Sequence, residues 1–100
     1  HIEFCDLSHG WPPEEKYELG SQLRRAVFSI PANIAEGSAK ATNAHKKVFL
    51  ENSLGSSYEV ETALLGIIEL YPIFKPECEI NLGICIEVQK MLIALINKMT

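Results

Sequence analysis

Ser29, Asn33 and Glu36 stand four and three residues apart, so in a helix they share one face. A hydroxyl, an amide and a carboxylate together are the beginning of a small polar site. The pattern stops there: no His, no second carboxylate and no metal-ligand cluster falls at a spacing that completes it. Pro31 lies inside the same stretch and removes one amide donor from a helix, leaving a carbonyl in need of a partner. The reading that needs fewest assumptions has Asn33 and Glu36 satisfying backbone groups around that proline and the helix end, or hydrogen-bonding a neighbouring subunit.

The other reactive residue types give less. Glu59 and Glu61 are two residues apart and point to different sides of a helix, whereas acid–base work needs two carboxyls converging on a substrate. Cys5, Cys78 and Cys85 form no CxxC, and His1, His9 and His45 have no zinc-type spacing. Cys78 and Cys85 are seven residues apart on one helical stripe and read as small apolar core residues of a reducing compartment. Neither a glycine-rich phosphate loop nor a nucleophile elbow is present. No cofactor, metal or small-molecule substrate is expected, and the chain is expected not to be an enzyme.

Arg24, Arg25, Lys40, Lys46 and Lys47 are the candidate nucleic-acid or partner surface. If the segments flanking Ser38–Ala41 run antiparallel, Arg25 lies about level with Leu54, within a turn or so of Glu51 and Glu59. The set has no aromatic interleaving on which bases would stack, so one arginine is expected to pair with those carboxylates while the remaining cations are solvated. The formal net charge of −4 argues against a protein whose main task is coating nucleic acid, because that work neutralises phosphates with Lys and Arg.

Proline and glycine divide the chain into four helical segments. The first, His1 to about Ser8, ends at His9-Gly10, and Trp11-Pro12-Pro13 restarts the chain. The second runs to about Glu36, with Leu19, Leu23, Ala26, Val27, Ile30 and Ile34 on one stripe, a kink at Pro31 and Gly37 closing it. Thr42 is the expected N-cap of the third, which continues to about Tyr71 with Phe49, Leu50, Leu54, Tyr58, Leu64, Leu65 and Ile68 inward. At its centre Ser53, Gly55, Ser56 and Ser57 are small enough to let another helix approach closely. Tyr71–Pro76 is a loop, and Pro76 opens the fourth segment, to about Lys98. There Cys78, Leu82, Cys85, Val88, Leu92, Leu95 and Met99 form one stripe, widened by Ile80, Ile84, Ile86, Ile93 and Ile96. A helix apolar over so much of its circumference needs more than one packing surface, which in a domain this small points to another subunit. The longest apolar run, around Met91–Ile96, is far short of the about 20 residues that cross a bilayer, so no membrane role is expected.

Gln22–Ala26 followed by Ser29-Ile30-Pro31-Ala32-Asn33-Ile34-Ala35-Glu36-Gly37, and later Leu54-Gly55-Ser56-Ser57-Tyr58-Glu59-Val60-Glu61-Thr62, resemble two signatures of a known family. These are the bacterial four-helix-bundle proteins first noted as products of intervening sequences in large-subunit ribosomal RNA genes. The same family includes the accessory variability proteins of diversity-generating retroelements. The Trp11–Glu15 turn is similar as well. The resemblance implies an antiparallel bundle assembled as a ring, commonly a homo-pentamer. For the retroelement members it also implies binding of RNA and a reverse transcriptase through a basic surface. This sequence departs from the pattern at His45, where the family often has Glu, and in its acidic balance.

The expected fold is therefore all-α, an antiparallel up-and-down four-helix bundle over residues 1–100, with the first helix truncated and the second kinked at Pro31. Ser29, Pro31, Asn33, Glu36, Gly37, Gly55, Glu59 and Glu61 are read as motif and assembly residues. The expected function is that of an oligomeric binding or scaffold protein of the bacterial cytoplasm, with RNA or a nucleic-acid-binding protein as partner. The alternative is a self-assembling structural protein with a protein partner and no nucleic-acid role.

Overall fold

The computed structural model describes residues 13–99, with side chains from residue 18 onward. Among these residues the chain is all-α, with three long helices rather than four: α1 (Pro13–Ser38), α2 (Asn43–Leu70) and α3 (Lys75–Lys98), plus a 3₁₀ turn at Pro72–Phe74. The short first segment expected over His1–Ser8, its glycine cap and the Trp11-Pro12 turn lie outside the described residues.

Each helix boundary has a local cause. Pro13 begins α1 with its φ already set for a first turn. Backbone bonds from Ala39 N–H to Glu36 O (3.2 Å) and Lys40 N–H to Gly37 O (3.1 Å) close its far end. Thr42 is the N-cap of α2, in extended conformation, and its Oγ1 accepts the His45 amide at 3.2 Å. Such a cap contributes about 1 kcal/mol. At the other end Tyr71 N–H bonds Ile67 O at 2.7 Å, and the Tyr71 and Phe74 rings meet edge to face at 6.3 Å across the 3₁₀ turn. Pro76 sits in the first turn of α3, with Glu77 near its N-terminus and Lys98 in its last turn, both complementing the helix dipole.

α2 is the middle element, with α1 and α3 packed along it rather than chiefly against each other. Leu23 of α1, Val60, Leu64 and Ile67 of α2, and Cys78 and Cys85 of α3 form the buried cluster. Leu19, Ala26, Val27, Ile30, Ala63, Ile68 and Leu82 surround it.

Three sequence expectations concern these helices. α1 is one helix through Pro31 and ends at Ser38. Pro31 is exposed, so the donor it removes is lost on the solvent side of α1 rather than in the core. Second, the inward face of α2 is Leu50, Ser53, Ser56, Ser57, Val60, Leu64 and Ile67. Tyr58 and Leu65 are exposed instead. The stripe runs through the serines because a neighbouring helix lies against each: α1 meets Ser53 and Ser56, and α3 meets Ser57. Third, Ile34 and Leu95, placed on core stripes by periodicity, lie at solvent-exposed edges.

Gly37 is one turn of this same close approach and not a helix terminator. It is buried, and a Cβ on it would lie 2.9 Å from Phe49 Cβ and 3.4 Å from Lys46 O. Phe49 Cβ is fixed to the backbone of α2, so it can yield only if the helices separate. Gly37→Ala gains up to about 1 kcal/mol of helix propensity but overpacks this contact at about 1–3 kcal/mol. A net loss of stability is expected in urea unfolding. A gain would show that the helices are free to part here.

Candidate binding groove

The polar residues of the two sequence signatures meet between α1 and α2. Asn33 Nδ2 donates to Ser29 O and to Ser29 Oγ, both at 2.9 Å. Ser29 Oγ and Ser56 Oγ are 2.7 Å apart, and Ser56 Oγ is 3.2 Å from Asn52 O. Ser56 has one proton, so if it serves Asn52 the Ser29 hydroxyl is the donor to Ser56. A directed chain then runs from the Asn33 amide through both hydroxyls to the Asn52 carbonyl. One turn away Ser53 Oγ donates to Ile30 O at 2.8 Å. Asn33 thus serves the carbonyl and hydroxyl of Ser29, within two residues of Pro31. These bonds contribute about 0.5–1.5 kcal/mol each, and they fix the register of α1 on α2.

A second set ties α2 to α3. The Cys85 thiol reaches Ser57 O at 3.1 Å and Gln89 Nε2 donates to Glu61 Oε1 at 2.8 Å, while the Ser57 hydroxyl stays within α2 and donates to Leu54 O at 2.6 Å. Glu61 therefore anchors the buried Gln89. Burial pushes the Cys78 and Cys85 thiols above their ordinary range, with Glu77 and Glu61 respectively adding to the effect. Both thiols are free and buried, and both belong to the packing. Cys5 lies outside the described residues.

On the side of α2 away from Glu61, an open groove of about 960 Å³ runs between α1 and α2. Gly55, Glu59, Thr62 and Gly66 recur every three or four residues along its floor, and Gln22, Arg25 and Ser29 form the α1 wall. A Cβ at Gly55 or Gly66 would meet nothing within 4 Å, so the glycines keep the floor low rather than relieve a contact. Leu19 and Leu70 are the apolar lining at one end. Arg25 and Glu59 face the same groove, yet neither belongs to an ion pair among the described residues. This trough could seat a helix or an extended chain bearing its own charges.

Glu36 is exposed and forms a surface pair with Lys40 at 3.7 Å, a contact worth little in water. Lys40 Nζ also lies 4.9 Å from the Phe49 ring centroid. The five basic residues divide into two groups. Lys40, Lys46 and Lys47 sit at the α1–α2 turn, while Arg24 and Arg25 lie more than a dozen residues back along α1, roughly 20 Å away. Between the two groups is an aromatic side chain that the sequence reading left out. Phe28, one turn from both arginines, is 73% exposed. Its signal was present in the pattern, as the one large apolar residue of this stretch off the Leu19–Ile34 stripe.

Among the described residues no group of His, Cys, Asp and Glu could hold a metal ion, and no helix is long and apolar enough to cross a membrane. A comparison with curated proteins finds no match. The family of 23S rRNA-intervening sequence proteins is matched over residues 1–94, a span that contains both signatures, the hydroxyl seam and every residue lining the groove. The chain belongs to the 23S rRNA-intervening sequence protein family.

Proposed function

We propose that this chain is a non-enzymatic binding and scaffold protein that self-associates in the bacterial cytoplasm, with RNA or a nucleoprotein as its partner. The observation that carries self-association is the apolar surface of α3. Cys78, Cys85 and Leu92 mark its buried line. At about 100° per residue, Ile80, Ile84, Met91 and Leu95 lie to one side of that line, and Ile86 and Ile93 to the other, all exposed. In this reading a fourth helix completes the bundle, and Pro31 bends α1. A single added helix cannot shield both flanks, so the second is assigned to another copy. The resemblance supplies the stoichiometry, a homo-pentamer.

Size-exclusion chromatography with light scattering at about 10 μM tests this. The expected mass is five times the 11.2 kDa of one chain. A different multiple keeps self-association and removes the pentamer, whereas the mass of a single chain overturns both. The acidic net charge favours the second reading, a self-assembling structural protein with a protein partner, and that reading gains if RNA fails to bind.

A further inference from the structure

We infer that Phe28, flanked by Arg24 and Arg25, is a stacking platform for single-stranded RNA on the outer face of α1. The inference rests on the nucleic-acid reading above and adds the place and mode of contact.

Three observations converge on this side chain. First, Phe28 is among the most exposed of the large apolar residues, at 73%, although burying a Phe is worth about 1.5–3 kcal/mol. Counting about 100° per residue, it points roughly opposite Leu23 and Ile30, so the core of this chain cannot take it. Second, in the same projection it falls between Arg24 and Arg25. Both arginines are exposed, and neither has an ion-pair partner among the described residues. The next turn carries Pro31 and Ala32, neither of which reaches over the ring.

Third, charge is segregated along the chain. From Leu19 to Ala35 α1 contains no acidic residue. Residues 19–50 hold five basic side chains (Arg24, Arg25, Lys40, Lys46 and Lys47) against one acid, Glu36. That stretch is therefore +4 within a chain of −4, and Phe28 lies inside it. Single-stranded RNA fits this combination, because it offers unstacked bases to a ring and phosphates to guanidinium groups. A duplex keeps its bases stacked and presents only its phosphates.

The test is fluorescence anisotropy with a labelled 12-nucleotide oligouridylate and with a 12-base-pair RNA duplex, each titrated from low to physiological salt. Wild-type protein is expected to bind the single strand in the micromolar range and to prefer it to the duplex. Phe28→Ala weakens single-strand binding by about 5- to 100-fold and leaves the salt slope unchanged. Phe28→Trp restores it. The double variant Arg24→Gln, Arg25→Gln lowers the slope of log K against log salt by about 1.4. Phe28 is exposed, so these variants should fold, and circular dichroism checks that they do. If single strand and duplex bind equally, or if Phe28→Ala binds as wild type, the platform is wrong while an RNA role elsewhere on the chain survives. No binding by wild-type protein at low salt overturns the RNA reading and the platform together.

Discussion

Leu64→Ala lowers the unfolding free energy by about 2–5 kcal/mol, the range for truncating a large aliphatic side chain in a packed core. Leu64 is 0% exposed and sits among Leu23, Val60, Ile67, Cys78 and Cys85. It joins residues from all three described helices, so no single helix can move in to fill the space. The neighbouring Leu65 is 51% exposed, and Leu65→Ala supplies the control, with an expected change of no more than about 1 kcal/mol. Urea unfolding at one fixed protein concentration reads both variants, because a self-associating chain gains stability with concentration. Equal losses for Leu64 and Leu65 would mean that α2 is rotated from the orientation described.

Ser53→Leu is expected to cost about 2–4 kcal/mol, although it exchanges a polar residue for a better helix former. Ser53 is 0% exposed and its hydroxyl touches the backbone of α1 at Ile30 O, 2.8 Å away. Leucine brings three further carbon atoms into a space with no room for them, and overpacking costs about 1–3 kcal/mol. The Ile30 carbonyl also loses the hydroxyl now bonded to it, at about 1 kcal/mol. Ser53→Ala isolates this second effect and should cost about 1 kcal/mol. Thermal melts of the two variants separate the contributions. Should leucine prove no worse than alanine, the helices are not in close contact at this level.

Much of the fold was legible because its punctuation is chemical. Thr42 reads as a cap since its hydroxyl can serve an orphan amide, and Pro76 reads as a start since a first turn has no use for the amide that proline lacks. The antiparallel pairing of α1 and α2 followed from the short Ser38–Ala41 connection, but its register did not: the Ile30–Ser53 and Ser29–Ser56 bonds put Arg25 level with about Glu59, more than a turn beyond Leu54. What sequence reasoning misjudged was which face of α2 turns inward. Tyr58 and Leu65, expected inward for their size, are exposed, whereas Ser53, Ser56 and Ser57, expected only as the place where another helix comes close, are themselves the buried line. Where two helices nearly touch, small residues are buried and large ones are pushed aside. The groove was illegible for a related reason: its floor is defined by side chains that glycine lacks. The basic set was read as one patch because five residues close in sequence were assumed close in space, whereas a helix carries Arg24 and Arg25 about 20 Å from the lysines at its end.

The central position of α2 bears on how the chain acquires its structure. Its inter-helix hydrogen bonds join residues 23–28 positions apart, as in Ser53 to Ile30 and Cys85 to Ser57. Each pairing joins helices adjacent in the chain, a topology that favours rapid folding. Two hairpins, α1–α2 and α2–α3, are then available as nuclei, and both contain α2. Damage to either outer helix leaves one route open. A lesion in α2 closes both, so folding speed is governed by a helix that lies at neither end of the chain.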